Sequence, residues 1–392
     1  MANFGDYQTG IYAEGMFGGK VPDVPTGLAG LESRASEVLS PEAAGYILPS
    51  AGSGATARAN REAFDRWRIV PRMLRGSPQR DLSCTVLGTA LPAPVMLAPI
   101  GVQTLAHPEG ELATARAAAA VGLPYVHSTA AAHSIEQAAE ANGEGPRWYQ
   151  LYWPNEPEMC ASFLRRAAAA GYTGLVVTLD TTTLGWRPAD LDRGFLPFLR
   201  GEGIATFLTD PVFQAGLDKP VEEDMGAAVM RWASVFPNPG LSWDQLPFLR
   251  EHWDGPIVLK GILSVDDARL AAEHGVDGVL VSNHGGRQVD GAIGALDALG
   301  PIAAAVGSDM TVLFDSGIRT GADIVKALAL GADAVLVGRP YLFGLALAGQ
   351  AGVEHVLRCL LAELDLTLHH SGYASQRDLT PASLTAAPGV PG

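Results

Sequence analysis

Six consecutive residues, Ser282-Asn283-His284-Gly285-Gly286-Arg287, hold the densest usable chemistry in the chain. A histidine exchanges a proton near neutral pH, an arginine fork matches a carboxylate, and paired glycines let backbone and ligand approach closely. Together they read as a proton-abstraction site for an acidic substrate. The bland alternative is a helix N-terminus with an incidental surface histidine. Against it, the six follow an apolar run, Gly278-Val279-Leu280-Val281, of the length of a fully buried parallel strand. His284 and Arg287 therefore emerge where that strand ends, which in an α/β barrel is where catalytic residues sit.

The elements that must position this stretch repeat along the chain. From Val95 onward, short apolar strands are each followed by a polar or Gly-rich junction and a helix, at 95–99, 124–128, 148–152, 174–179, 256–260, 278–282, 311–315 and 334–338. The helices, typified by 111–121, 158–170, 265–274 and 322–330, end at glycine or in a Gly-containing turn. Eight buried strands alternating with helices predict an α/β fold of the (β/α)₈ TIM-barrel type over 95–350 rather than an open sheet. No G-x-G-x-x-G follows the first strand, which weighs against a dinucleotide-binding unit. Residues 1–94 read as a helical N-terminal extension, with a helix starting at Pro41, another across 57–67, and a short strand or hairpin arm at 82–88. Residues 351–392 read as a C-terminal helix, over 353–368, and tail. The regular spacing breaks only after the fourth strand, at 181–255. Phe195, Pro197, Phe198, Phe207, Pro211 and Phe213 make that long stretch a partly ordered lid over the site.

In such a barrel the strand ends bring Pro99, Ile100, Gly101, Ser128, Gln150, Tyr152, Thr178, Asp180, Lys260, Ser282, His284, Asp315, Ser316, Gly317, Gly338 and Arg339 to one mouth. Polar groups ending so many apolar strands are costly unless they bind something. The last two ends resemble a phosphate site: Gly317-Ile318-Arg319 and Gly338-Arg339 offer backbone N–H groups and guanidinium donors where barrels commonly hold a phosphate. The alternative is that Arg319 and Arg339 pair surface acids.

A formal net charge of −15, without a basic run, argues against nucleic-acid and anionic-membrane partners. Cys84, Cys160 and Cys359 share no metal-ligand spacing, so neither a disulfide framework nor a metal site is expected. The N-terminus lacks a basic and apolar leader, and no eighteen-residue uninterrupted apolar run occurs; the expectation is a cytoplasmic protein.

Ser282 through Gln288 with Asp290-Gly291, Asp315 through Arg319, and Leu179-Asp180 with Gly185-Trp186-Arg187 together resemble the FMN-dependent 2-hydroxy-acid oxidising family. The likeness runs over nearly the whole chain. Within that family the lactate 2-monooxygenases are most similar, through Asn3-Phe4-Gly5-Asp6-Tyr7, Arg72-Met73-Leu74, Gly185 to Pro188 and Asp210 to Gln214.

The resemblance implies roles. His284 would take the substrate's proton as the Cα hydrogen passes to the flavin, and Asp180 would pair with the imidazole and raise its pKa. Arg187 and Arg287 would hold the substrate carboxylate with help from Tyr46, and Tyr152 would bond near the substrate hydroxyl. Lys260 would stabilise the anionic reduced ring. Pro99, Ile100, Gly101, Ser128, Gln150, Thr178 and Ser282 would contact the isoalloxazine; Asp315, Ser316, Gly317, Arg319, Gly338 and Arg339 would contact the ribityl phosphate. Gly101, alanine in many relatives, would leave space for oxygen chemistry.

The implied activity is oxidation of a small L-2-hydroxy acid, L-lactate foremost, by O2, in a homotetramer or homo-octamer. The products would be acetate, CO2 and water in the monooxygenase version, or a free 2-oxo acid and H2O2 in the oxidase version. Two departures bear on that choice. Ile47 to Gly54 lacks the acids that usually follow Tyr46, and Asp290 looks more like the oxidases. A barrel that binds FMN without redox turnover is the rival from another class. The set His284, Arg287, Arg187 and Asp180 argues against it, because flavin binding alone does not need them.

Overall fold

The apolar runs form strands because both of their faces are covered, and the eight expected barrel strands are all present. The computed structural model describes residues 3–76 and 80–387; positions 1, 2 and 77–79 of the N-terminal extension and 388–392 of the C-terminal tail lie outside the described residues. Among the described residues three short strands precede the barrel: β1 (Trp67–Ile69), β2 (Cys84–Val86) and β3 (Thr89–Leu91). The barrel follows as β4 (Val95–Leu97), β5 (Tyr125–Ser128), β6 (Arg147–Leu151), β7 (Leu175–Thr178), β8 (Ile257–Ile262), β9 (Gly278–Val281), β10 (Thr311–Phe314) and β11 (Ala334–Val337). All neighbours are parallel, and β11 closes on β4 with Leu336 opposite Met96.

Side chains alternate between the inside of the barrel and the surrounding helices. Met96, Val126, Trp148, Val176, Val258, Leu280, Leu313 and Leu336 make an apolar cluster joined by Val86 and Leu91 of the β2–β3 hairpin. The hairpin is tied in by Trp148 Nε1, which donates to Thr89 Oγ1 at 2.9 Å. With one end so filled, the opposite end of the barrel is left for the site.

Among its described residues the N-terminal extension supplies four helices, α1 (Asp6–Gly18), α2 (Leu28–Val38), α3 (Pro41–Ile47) and α4 (Ala55–Asp65). α3 starts where the sequence indicates, with Ser40 capping the Ala43 amide and Pro41 in the first turn. β1 is an unexpected strand, paired antiparallel with β12 (Leu384–Ala386), so the stretch that follows α4 is tied to the C-terminal tail.

The stretch 181–255 is more fully folded than a partly ordered loop. It contains several short helical segments and the longer helix Met225–Val235, with Phe198, Phe207, Phe213, Trp232 and Phe236 buried. The helix Arg339–His370 is long and apolar enough to cross a membrane by length and composition. It kinks at Ala348 and Gly349, and half of its most apolar stretch is buried, as in a core helix.

Candidate active site

Two residues along each strand from the apolar cluster, the next positions on the same face are Ala98, Ser128, Gln150, Thr178, Lys260, Ser282, Asp315 and Gly338. Four members of this mostly polar layer, Ala98, Lys260, Asp315 and Gly338, line a cleft of about 1140 Å³, measured out to its open mouth. Tyr46, Pro99, Ile100, Gly101, Tyr152, Arg187, Lys260, His284, Arg287, Asp315, Ser316, Gly317, Arg319, Gly338 and Arg339 line it. Ser128, Gln150, Thr178, Asp180 and Ser282 do not line it. Ser282 is fully buried, and its Oγ accepts from Lys260 Nζ at 2.9 Å and from the His284 amide at 3.0 Å, so it holds the loop from below.

His284 sits between two partners. Its Nδ1 is 2.8 Å from Asp180 Oδ1, and its Nε2 is 3.4 Å from Tyr152 Oη. With the Nδ1 proton donated to the carboxylate, Nε2 is left as the basic nitrogen on the Tyr152 side. Burial would raise the Asp180 pKa, but the charges of His284 and Lys260, with hydrogen bonds from His284 and Thr181, hold it well below the usual carboxylate range. The imidazole behaves differently from expectation. Asp180 does push its pKa up, yet burial pushes it down harder and Lys260 adds to that, so His284 lies below its ordinary 6.5 and is neutral at pH 7. Lys260 is kept charged despite burial, because Asp315 and Asp180 lie 3.5 and 3.9 Å from its Nζ.

Four guanidinium groups face the cleft, and among the described residues none of Arg187, Arg287, Arg319 and Arg339 has a carboxylate oxygen within 4.0 Å. Arg287 donates to Pro49 O at 2.9 Å and lies over the Tyr46 ring, 5.1 Å from its centroid. Arg187 donates to Arg287 O and to Gln288 Oε1. Burial and mutual repulsion bring Arg287 down to about 10 and Arg339 to about 9. Cations this crowded and desolvated are arranged for anions that the protein itself does not supply. The alternative, that Arg319 and Arg339 pair surface acids, is therefore not seen among the described residues.

The residues present fit FMN. Gln150 Nε2 and Thr178 Oγ1, in the same layer as Lys260, are buried polar atoms without a hydrogen-bond partner, which the polar edge of a flavin ring would satisfy. Gly317, at φ 98°, and the start of the helix at Arg339 bracket the arginine-rich end, where a phosphate would sit. Gly101 has a packing role as well as a place in the cleft. A Cβ there would lie 2.5 Å from Ala130 O and 2.9 Å from Ala130 Cβ. The glycine thus serves a close approach between the β4 and β5 loops.

Some functional residues escape sequence reasoning. Gln288 ties the site together: its Nε2 donates to Asp180 O and Thr183 O while its Oε1 accepts from Arg187. Asn60, outside the barrel, exchanges two hydrogen bonds with Asn283. The available signal was an asparagine on the buried stripe of α4, in line with Thr56, Ala63 and Phe64.

Comparison with known proteins agrees with this geometry. The chain is 50% identical over 365 residues to the FMN-dependent alpha-hydroxy acid dehydrogenase qulF of Penicillium citrinum, covering 92% of this chain and 91% of that one. It is 41% identical over 366 residues to an L-lactate oxidase of Lysinibacillus sphaericus, covering 93% and 94%. A crystal structure of mandelate oxidase superposes with a TM-score of 0.82 at 38% identity, covering 94% of this chain and all of that one. The family model for FMN-dependent dehydrogenases matches residues 35–386, and the chain belongs to that family of FMN-dependent alpha-hydroxy-acid oxidases and dehydrogenases.

Proposed function

We propose that the protein oxidises a small L-2-hydroxy acid, with L-lactate as the type substrate, and uses O2 as the oxidant. The observation that carries the reading is the pairing of unpartnered guanidinium groups with a buried base. Arg287 and Arg187 face the cleft without carboxylate partners, and His284, braced by Asp180, lines the same cleft. Arg287 and Arg187 bind the substrate carboxylate, and Tyr152 Oη hydrogen-bonds at its hydroxyl. His284 Nε2 then takes the hydroxyl proton, and Asp180 stabilises the imidazolium so formed. Bound FMN supplies the two-electron acceptor for the Cα hydrogen. Lys260 presents a fixed positive charge where negative charge develops.

Leu184, Phe198, Phe236 and Ile47 supply apolar surface to the cleft, and Phe198 and Phe236 pack edge-on against Tyr46 and Tyr152. That wall suits a short apolar substituent on the 2-carbon. Leu184, Phe198 and Phe236 come from the folded 181–255 stretch, which favours retention of products. A 2-oxo acid held beside H2O2 loses its carboxylate as CO2, and pyruvate so treated yields acetate and water. The oxidase outcome, with both products released, is the second reading. The L-lactate oxidase of Lysinibacillus sphaericus at 41% identity favours it. A cytoplasmic homo-oligomer remains part of the proposal.

The test is an anaerobic titration of the yellow protein with L-lactate, followed by air and product analysis. Bleaching, then acetate and CO2 without free peroxide, is the expected result; pyruvate with peroxide selects the oxidase. Bleaching by L-mandelate but not L-lactate would overturn the small-substrate reading.

A further inference from the structure

The base's own backbone is held in an unfavourable conformation. His284 has φ 58°, and Gly285 and Gly286 follow at 64° and 78°, so three left-handed residues succeed one another. Glycine adopts such angles freely, and histidine does not. All three amides are pinned by side-chain oxygens: His284 N donates to Ser282 Oγ at 3.0 Å, Gly285 N to Ser316 Oγ at 3.0 Å, and Gly286 N to Asn283 Oδ1 at 3.2 Å.

The third of these oxygens is oriented from outside the barrel. Asn60 Nδ2, on α4, donates to Asn283 Oδ1 at 2.8 Å, and Asn283 Nδ2 returns a bond to Asn60 Oδ1 at 2.7 Å. Asn60 Oδ1 also accepts from the Ala295 amide, and Asn283 Nδ2 also donates to Ile293 O. Both side chains are buried. The same helix grips the following loop twice more. Thr56 Oγ1 donates to Val289 O and accepts from the Ala292 amide, each at 2.8 Å. The Asp290 carboxylate accepts from Ser53 and from the Ala55 and Thr56 amides at the start of α4. The approach is close enough that a Cβ on Gly286 would lie 2.7 Å from Ala57 N. Neither Asn60 nor Thr56 lines the cleft.

We propose that α4 is the latch that sets the geometry of the base, with Asn60 as the central positioning residue. Asn60 orients the Asn283 amide, Asn283 fixes the left-handed turn, and the turn aims the imidazole between Asp180 and Tyr152. This rests on the reading of His284 as the base. It gives the N-terminal extension a part in the rate of the reaction, beyond packing.

The test compares three holoenzymes with wild type: Asn60→Asp, Thr56→Val and His284→Ala. Asn60→Asp keeps the shape but turns an acceptor toward Asn283 Oδ1. Thr56→Val keeps the shape and deletes two bonds. FMN content, Tm, KM for the 2-hydroxy acid and the rate of anaerobic bleaching are measured. The expected result is full FMN occupancy and unchanged KM, with bleaching slowed on the order of 10- to 100-fold in Asn60→Asp, the cost of a small misplacement of a reacting group. Thr56→Val shows the same pattern more weakly, and it decides alone if Asn60→Asp does not fold. Wild-type bleaching in the latch variants while His284→Ala is slow overturns the proposal, as does a slowing that disappears when FMN occupancy is restored. Wild-type bleaching in His284→Ala overturns the base assignment itself.

Discussion

Asp180→Asn separates the two influences on the base. In the native site Asp180 Oδ1 is 2.8 Å from His284 Nδ1, which puts the centres of charge about 4 Å apart once the imidazole is protonated. At an effective dielectric of about 20 that attraction is worth about 4 kcal/mol. Removing it also leaves Lys260, 3.9 Å from the lost carboxylate's other oxygen, with Asp315 as its remaining carboxylate partner, so more of its charge is felt at the imidazole. Both changes lower the His284 pKa further. A weaker base then faces the substrate hydroxyl. If about half of the lost energy is felt in the transition state, the barrier rises by roughly 2 kcal/mol and the reaction slows about 30-fold.

The pH profile distinguishes this account from simple disorder of the site. A general base must be neutral, so kcat/KM falls as pH drops through the His284 pKa, which in wild type lies below the ordinary 6.5. In Asp180→Asn the acid limb should move to still lower pH while the plateau drops. The assay is the rate of anaerobic bleaching by rapid mixing across pH, with saturating and limiting substrate. Binding of the substrate carboxylate should change little, since Arg287 and Arg187 keep their charges. A plateau within about twofold of wild type, or an acid limb displaced toward neutral pH, would refute the reasoning.

Three further outcomes are expected. Arg287→Lys should raise KM for the 2-hydroxy acid on the order of 10- to 100-fold with FMN still bound, because a point charge cannot replace a fork; an unchanged KM removes Arg287 from the carboxylate site. Gly101→Ala should cost about 1–3 kcal/mol and weaken FMN retention, since the new Cβ meets Ala130 O at 2.5 Å and that backbone must move; a variant with wild-type Tm and FMN affinity would show that the β4 and β5 loops need not be so close. His127 is fully buried with a pKa lowered by burial from 6.5 to about 4, so as pH falls through 6.5 the unfolded chain takes up a proton that the folded chain refuses. Stability should fall by roughly 3 kcal/mol between pH 6.5 and 4 from this group alone, and His127→Gln should flatten that slope in denaturant titrations.

The barrel was legible because its strands are buried on both faces, so each one reads as an apolar run whatever it pairs with. The polar layer was legible for a related reason. Strand side chains alternate, so Ser128, Gln150, Thr178, Lys260 and Ser282 had to lie on the same face as Val126, Trp148, Val176, Val258 and Leu280. What was not legible depends on contacts between distant parts of the chain. Strands β1 and β12 have three residues each, too few to show a period, and only their pairing across the whole chain makes them strands. The pKa of His284 could not be read from its partner Asp180 alone, because burial and Lys260 reverse the sign that the pair suggests.

The latch shows where the boundary falls. Thr56, Asn60, Ala63 and Phe64 lie on one face of α4, so the sequence can reveal that an asparagine is buried there and needs partners. It cannot reveal which partner, because Asn283 is 223 residues away and nothing in the spacing of either residue refers to the other. Alternation and helical period say which side chains turn inward; what those side chains do is settled by the segments that the fold brings against them. For this reason many of the residues that line the cleft could be predicted from motifs, while those that hold His284 in its left-handed turn came only with the structure.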